Sequence, residues 1–507
     1  MTSEPTLSLS LSLSLSLSLS LSRSRLDIPR AHLLSPEWRE PGIGIVHLGI
    51  GNFHRAHQAL YTEEAMLAHG GDWGICGVTL QGDVTKRDAL MAQDGLYSVV
   101  ERGPGGVRVT VARALNEVLA LPFDRARLFE LLADPRVRIV SLTVTEKGYC
   151  RDAKTGDADF ANEGVIQDLA HPHEPATVPG ILTAALQARR NAGTPPFTVL
   201  SCDNLSHNGA ALQQVVRSFA AKLDAQLAAW IDEQVAFPST MVDRIVPATT
   251  DADREAARAG LGVADQAPVP CEPFRQWVIE DRFPTGRPTW ETAGAQLVDD
   301  VAPFEIAKLR MLNATHSTLA YLSMLAGFET ISDAISHPPL RALIHSMMTR
   351  EIAPTLDVPA SFDLFAYRDA LLQRYANPAL KHRCSQIAID GSLKLPPRIL
   401  STIAARVDNG ETFERLALAV AAWLVFLRGR ADHGERYEVR DPLADKLTHL
   451  STNTSDAEHL VDSMLGIPDV FPETLAHAPA LREALLRALR ALDDGALSAI
   501  KAYAVLD

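Results

Sequence analysis

The sequence predicts an α/β protein: a doubly wound, Rossmann-type parallel sheet followed by a mostly α-helical C-terminal domain. Three observations lead there. Short β-branched apolar runs alternate with helical stretches over roughly the first 300 residues, the pattern of parallel βαβ units. A glycine-bearing turn directly follows the first of these runs. Beyond that point long helical periodicities replace the strands. We therefore divide the chain into a tail and arm over 1–40, a sheet domain over 41–297 and a helical domain over 298–507.

The tail repeats Leu-Ser eight times from Leu7 to Ser22. Serine interrupts the apolar run at every step, and Arg23 and Arg25 follow the repeat, so the tract lacks the order of a secretory leader. It reads as a disordered extension, with ordered structure expected from the arm at 26–40 onward. Ile43-Gly-Ile-Val-His-Leu-Gly49, bounded by Pro41-Gly42, is the first buried strand. A helix follows at 56–69 and a second strand at 73–80. Residues 97–100 and 107–112 pair as strands across a turn at Gly103–Gly106, and 137–145 and 197–202 are further strands. The stretch 274–283 reads as packing in the core or at a domain interface. Helices are expected at 305–325, 339–355, 362–375, 398–407, 412–427, 443–450 and 479–491.

Composition narrows the function. Hydrophobic residues at 47% permit an ordinary globular core, and a net charge of −14 argues against nucleic acid as a partner. The five cysteines are scattered without a C-x-x-C pair, which disfavours a disulfide framework or structural zinc and suits a reducing cytoplasm. No apolar run reaches the length of a membrane span. The expected partner is a small molecule, the expected state a monomer or small homo-oligomer.

The turn after the first strand is His47-Leu-Gly49-Ile-Gly51-Asn52-Phe53-His54-Arg55-Ala56. Gly49 makes the tight turn, Gly51 lets backbone approach a pyrophosphate, and the following residues offer helix N-terminal amides to the anion. His54 stands where a third glycine is usual. Asp83 is the carboxylate nearest the end of the second strand and the candidate for the adenosine ribose; Lys86 and Arg87 close by are the alternative holders of a 2′-phosphate. NAD is expected over NADP. His54 and His57 read as phosphate contact or helix capping rather than a metal pair, because no third ligand cluster accompanies them.

The segment Phe304-Glu-Ile-Ala-Lys308-Leu-Arg-Met-Leu-Asn313-Ala-Thr-His316 puts three reactive side chains on one stretch of helix. At ~100° per residue, Asn313 lies roughly 140° and His316 roughly 80° from Lys308, so all three can border one pocket. A buried lysine loses its proton easily and can act as a base. Asparagine and histidine can hydrogen-bond an oxygen whose charge changes during reaction. Spacing alone leaves open a plain solvent-facing helix.

Several motifs together are more specific. Gly49-x-Gly51-x-Phe53-His54-Arg55-x-His57, Cys202-Asp-Asn204-Leu-Ser-His-Asn208-Gly209, Val242-Asp243-Arg244, Lys308-Leu-Arg-x-Leu-Asn313-x-x-His316 and Asp390-Gly391-Ser392-x-Lys394 resemble, in order, the polyol-specific long-chain (mannitol) dehydrogenase family. The resemblance implies NAD(P)-linked oxidoreduction without a metal, with the active site between a Rossmann-type and a helical domain. It implies Lys308 as general base, Asn204 and Asn313 as the oxyanion hole, and His316, Lys394 and Asp243 around the substrate. It also implies Glu146 and Glu305 near the lysine as proton relays.

Within that family, Ser141-Leu-Thr-Val-Thr-Glu146-Lys147 and Gln386-Ile-Ala-Ile-Asp-Gly-Ser look more like the hexuronate branch, fructuronate reductase and mannonate oxidoreductase. Polyol members commonly carry glycine where Lys147 stands. A lysine there can pair with a substrate carboxylate. Asp203-Asn204-Leu-Ser-His207-Asn208 looks closer to the polyol branch. The resemblance thus implies NAD-linked interconversion of D-mannonate and D-fructuronate, with oxidation of mannitol or arabinitol to a 2-ketose as the alternative.

Overall fold

The structure is a computed structural model and describes residues 21–23, 33–34, 38–360, 362–380, 382–454 and 456–506. The chain divides into two compact units between Val301 and Ala302.

The first unit is built on a five-stranded parallel sheet. Its strands are β1 (Ile43–Leu48), β2 (Gly74–Thr79), β5 (Leu115–Ala120), β6 (Ile139–Leu142) and β7 (Thr198–Ser201), in the order β5-β2-β1-β6-β7. The order reverses between β1 and β6, which makes the C-terminal ends of those two strands the crevice where such sheets bind ligands. Both faces of the sheet are covered, which is why β1 reads as a continuous apolar run. Val46 and Leu48 enter a core with helices Val178–Ala192 and Asn208–Leu223, while Ile45 enters another with Tyr61, Trp277 and Trp290. The expected packing role of Trp277 therefore holds for the core.

β3 (Tyr97–Gly103) and β4 (Gly106–Ala112) form the expected antiparallel hairpin, with Gly103 opposite Gly106. β9 (Val269–Cys271) adds to that hairpin, and β8 (Thr240–Asp243), β10 (Gln276–Glu280) and β11 (Gln296–Val298) form a third sheet. These short strands carry too few residues for a period-two signal, and β5 has Asn116 and Glu117 in mid-run; none was predicted. The helix expected at 56–69 is broken. The chain turns at His57 (φ −132°), separating α1 (Asn52–Ala56) from α2 (Gln58–His69).

Most of the Leu-Ser tract, expected as a disordered tail, lies outside the described residues. Its last two residues correct the expected start of order at 26. Leu21 is buried with Leu96, Val100 and Val111, and its N–H donates to the Ala264 carbonyl at 3.1 Å. Ser22 donates to Asp94 at 2.7 Å, and the Arg23 guanidinium donates to the carbonyls of Arg113 and Leu115. An arginine that follows the repeat thus serves as an anchor on the hairpin side of the unit.

The second unit is helical. Helix Glu414–Phe426 is apolar nearly all round and buried accordingly, packing against Pro479–Asp493 and Ala314–Ala326. A buried Glu351–Arg415 pair at 3.1 Å ties two of its elements, and Glu351 also accepts from the backbone of Arg415 and Leu416. Among the described residues no helix is long and apolar enough to cross a membrane.

The helix expected at 305–325 is not uniform, and the difference matters for the site. Ala302–Ala307 and Ala314–Ala326 are α-helical, but Lys308–Asn313 between them is a π-helix, closed by an Ala314 N–H to Leu309 carbonyl bond. Two more π segments, Met347–Ile352 and Pro396–Leu400, pack against it.

Candidate active site

Sequence order gathers the candidate residues of the first unit at the C-terminal ends of β1, β6 and β7. Gly49 follows β1 with φ +89°, and a Cβ there would lie 2.2 Å from the Thr143 carbonyl oxygen, so only glycine fits. Gly51 is different. Its backbone is extended, and a Cβ would meet nothing closer than the Gly49 oxygen at 3.8 Å. Protein packing does not require glycine at 51; close approach of a ligand would. The first amides of α1, Asn52 to His54, have no acceptor within their own helix and suit an anionic group. The residues present therefore fit a dinucleotide pyrophosphate.

Three of the expected cofactor contacts need correction. His54 stacks on His47 with ring centroids 3.4 Å apart and is 1% exposed. Arg55 donates to the Ala267 carbonyl at 2.6 Å and the Asn52 side chain at 2.7 Å, beneath the Tyr97 ring. Ala56 is buried. These side chains face the interior because the helix start is also the seam between α1 and the hairpin; they can serve a cofactor only through backbone or through Asn52. Phe53 is half-buried and stacks on His57, and His57 Nε2 donates to the Gln276 carbonyl at 2.9 Å instead of capping a helix or meeting phosphate. Asp83 stands at the far end of β2, where its carboxylate caps helix Val84–Met91 through the Lys86 N–H at 3.0 Å. Arg87 is drawn away to Asp88 and Asp124.

Burial pushes His54 down to about 3 and holds His47 and His57 well below the usual imidazole value of 6.5. Their folded values lie below the unfolded ones, so the unfolded chain binds more protons, and stability is lost as pH falls below about 6.5. Each such histidine contributes up to about 1.4 kcal/mol per pH unit. We expect the thermal midpoint to fall steadily from neutral pH toward pH 5, with a shallower slope in His54→Phe. A midpoint flat over that range would refute the burial of three neutral histidines.

Glu146 and Lys147 sit exposed on the short helix Thr145–Gly148 after β6, and Asn204 is exposed in the turn after β7. A residue not foreseen holds these turns together. Asp203 accepts from the N–H groups of Val144 at 2.9 Å and Thr145 at 3.0 Å, and from Tyr149 at 3.1 Å. Burial pushes its carboxyl up, and those three hydrogen bonds oppose the shift. Asn208 then ties the β7 turn to β8 by donating to the carbonyls of Asp203 and Thr240. Asp243, on β8, is buried. The signal for Asp203 was present in the motif around Asn204, but its role depends on a loop some 60 residues earlier.

The second unit carries Glu305, Lys308, Asn313, His316 and Lys394. Lys308 and Asn313 are each 8% exposed. The angles expected from an α-helix are corrected by the π turn. Because that turn closes i→i+5, it brings residues five apart onto one face, and Lys308 and Asn313 are five apart. His316, three residues on in α geometry, lies roughly 60° from Asn313. Glu305 is on the preceding α-turn, three residues before Lys308.

His316 stacks on Tyr375 at 5.4 Å and meets His382 edge-on at 4.7 Å. Burial, and then the charges of His382, Arg398, Arg374 and Lys394, hold its pKa well below 6.5. It is a neutral imidazole in a cationic surrounding. Lys394 donates to the carbonyls of Ile387 (3.3 Å) and Ile389, and burial with nearby Arg398 lowers its pKa. Two of its three donors are therefore spent on its own loop. Among the described residues, no three His, Cys, Asp or Glu side chains are grouped to hold a metal ion.

Residues 43–292 match the mannitol dehydrogenase Rossmann domain and residues 300–493 the mannitol dehydrogenase C-terminal domain. A D-mannonate oxidoreductase of Escherichia coli (strain K12) is 44% identical, over 85% of this chain and 89% of its own length. A mannitol 2-dehydrogenase of Cereibacter sphaeroides is 40% identical, over 91% and 96%. Among solved structures, the Pseudomonas fluorescens mannitol 2-dehydrogenase ternary complex with NAD and D-mannitol superposes with a TM-score of 0.83 at 38% identity, covering 96% of this chain and 99% of that one.

Proposed function

Given that the chain belongs to the mannitol dehydrogenase family, as an oxidoreductase acting on a secondary alcohol, we propose that it interconverts D-mannonate and D-fructuronate with NAD. NAD, when bound, takes up or gives the hydride. The loop from Gly49 to Ala56 would hold its pyrophosphate through backbone, and Asp83 its adenosine ribose. Lys308 takes the hydroxyl proton during oxidation and returns it during reduction. The carboxamides of Asn204 and Asn313 donate to the substrate oxygen as its charge grows. His316, neutral, donates or accepts at a neighbouring hydroxyl, and Asp243 and Lys394 line the substrate. Glu146 and Glu305 pass the lysine proton to water.

The observation that carries the chemistry is the π turn that sets Lys308 and Asn313 on one face. The observation that favours a hexonate over a polyol is charge: Arg374, Lys394 and Arg398 all act electrostatically on the buried His316, and Lys147 is exposed beside Glu146. A carboxylate gains from such surroundings and a polyol does not. A relative of similar identity named for mannitol keeps the polyol reading as the alternative. Lys147 decides between them in a single variant. Loss of one charge-assisted contact is worth about 1.5–3 kcal/mol, so Lys147→Gly should lower kcat/KM for D-fructuronate by roughly 10- to 150-fold. Turnover of D-fructose should stay within about threefold, since no such contact is made. Equal effects on both substrates would assign Lys147 no part in recognition.

A further inference from the structure

A π turn in the middle of a helix needs support, because its wider winding disturbs the regular pairing of carbonyls near its end. Here those carbonyls are buried and each is met by a side chain. Thr315 Oγ1 donates to the Met311 carbonyl at 2.5 Å. The Tyr375 hydroxyl donates to the Leu312 carbonyl at 2.8 Å and lies 2.9 Å from Thr315 Oγ1. Arg398 Nη1 donates to the Asn313 carbonyl at 3.4 Å and to Ser317 Oγ at 3.0 Å. Thr315 belongs to the same helix, but Tyr375 ends helix Leu364–Tyr375 and Arg398 sits on the π segment Pro396–Leu400. That second segment begins with two prolines, which bring no N–H to its first turn.

We infer that Tyr375 and Arg398 are positioning residues that hold Lys308–Asn313 in its π register and so keep the lysine and the asparagine on one face. The inference rests on the reading of Lys308 as the base. The geometry gives it content: in a regular α register the same two side chains would stand roughly 140° apart. Tyr375 touches the site twice, since its ring also stacks on His316 while its hydroxyl caps the turn. Neither residue needs to meet substrate to matter. A change in either would move the reacting groups relative to each other, whereas a merely structural tyrosine would affect only stability.

The experiment compares the unmodified chain with Tyr375→Phe, Arg398→Lys, Arg398→Met and Lys308→Ala, using D-fructuronate and D-fructose with NADH. Tyr375→Phe keeps the ring on His316 and removes the hydroxyl that meets the Leu312 carbonyl and Thr315 Oγ1. Its kcat should fall by about 10- to 100-fold, the scale for an angstrom-sized misplacement. KM and the NADH dissociation constant should stay within about twofold, because ground-state binding is untouched. Its kcat–pH profile should also shift, since the base sits in altered surroundings. Arg398→Lys, which retains a donor, should keep more activity than Arg398→Met. If Tyr375→Phe does not fold, the Arg398 pair carries the test. An unchanged kcat and pH profile in a folded Tyr375→Phe, with Lys308→Ala inactive, would overturn the positioning role alone. An active Lys308→Ala would overturn the base assignment and the positioning role with it.

Discussion

Lys308→Ala should lower kcat by about 10²–10⁴-fold, the span attributed to a positioned general acid–base group. The expectation follows from where the side chain lies. Lys308 is 8% exposed, opens the π turn, and faces the same way as Asn313. On the proposed role, removing its amine leaves the substrate hydroxyl without its proton acceptor. NADH binding should persist, because the glycine turn and α1 belong to the other unit. Lys308→Arg should be nearly as impaired as the alanine variant, since a guanidinium does not give up its proton near neutral pH. Stopped-flow measurement of single-turnover hydride transfer separates this from slowed product release. A Lys308→Ala variant that transfers hydride at the unmodified rate would remove the lysine from the chemistry.

The second large effect divides two glycines that look alike in sequence. Gly49→Ala must place a methyl 2.2 Å from the Thr143 oxygen and 3.0 Å from Val144, at a φ of +89°. The backbone conformation alone costs about 1–3 kcal/mol in a non-glycine residue, before the clash is counted. Thr143 and Val144 lead into the Glu146–Lys147 turn, so displacement there reaches the candidate site directly. We expect a lowered melting temperature and no measurable NADH binding. Gly51→Ala has an ordinary backbone conformation and open space around the added carbon. It should melt within about 2 °C of the unmodified chain, as surface changes of under 0.5 kcal/mol do. NADH should nevertheless bind roughly tenfold or more weakly, about 1.4 kcal/mol. Calorimetric titration with NADH alongside thermal melts reads both. A Gly51→Ala protein with unaltered NADH affinity would show that no cofactor approaches the chain at this turn.

The architecture was legible because both kinds of periodicity were strong. β1 is buried on both faces and so carries an apolar run, and Gly103–Gly106 marks the β3–β4 hairpin by composition. Strands of three to five residues such as β9 and β11 carry no comparable signal. The motifs around Gly49, Asn204 and Lys308 were legible because each is contiguous. What supports them was not. Asp203 holds a turn that precedes it by nearly 60 residues, and Tyr375 caps a carbonyl 63 residues earlier, contacts that no local pattern encodes. The π turn was hidden for a related reason. Its residues, Lys-Leu-Arg-Met-Leu-Asn, are all compatible with an α-helix, and the departure comes from donors on other elements. His54 and Arg55 were misplaced because a glycine turn draws attention to the ligand side, while both side chains turn into the core.

The most direct test of the account is the ratio of kcat/KM for D-fructuronate to that for D-fructose, measured at the NADH absorbance band with the unmodified chain. The cationic surroundings of His316 and the exposed Lys147 predict a ratio of about 10 or more, the equivalent of one charge-assisted contact. A ratio at or below about one would contradict the hexuronate assignment and place the enzyme among the polyol dehydrogenases, with Lys147 a bystander on its loop.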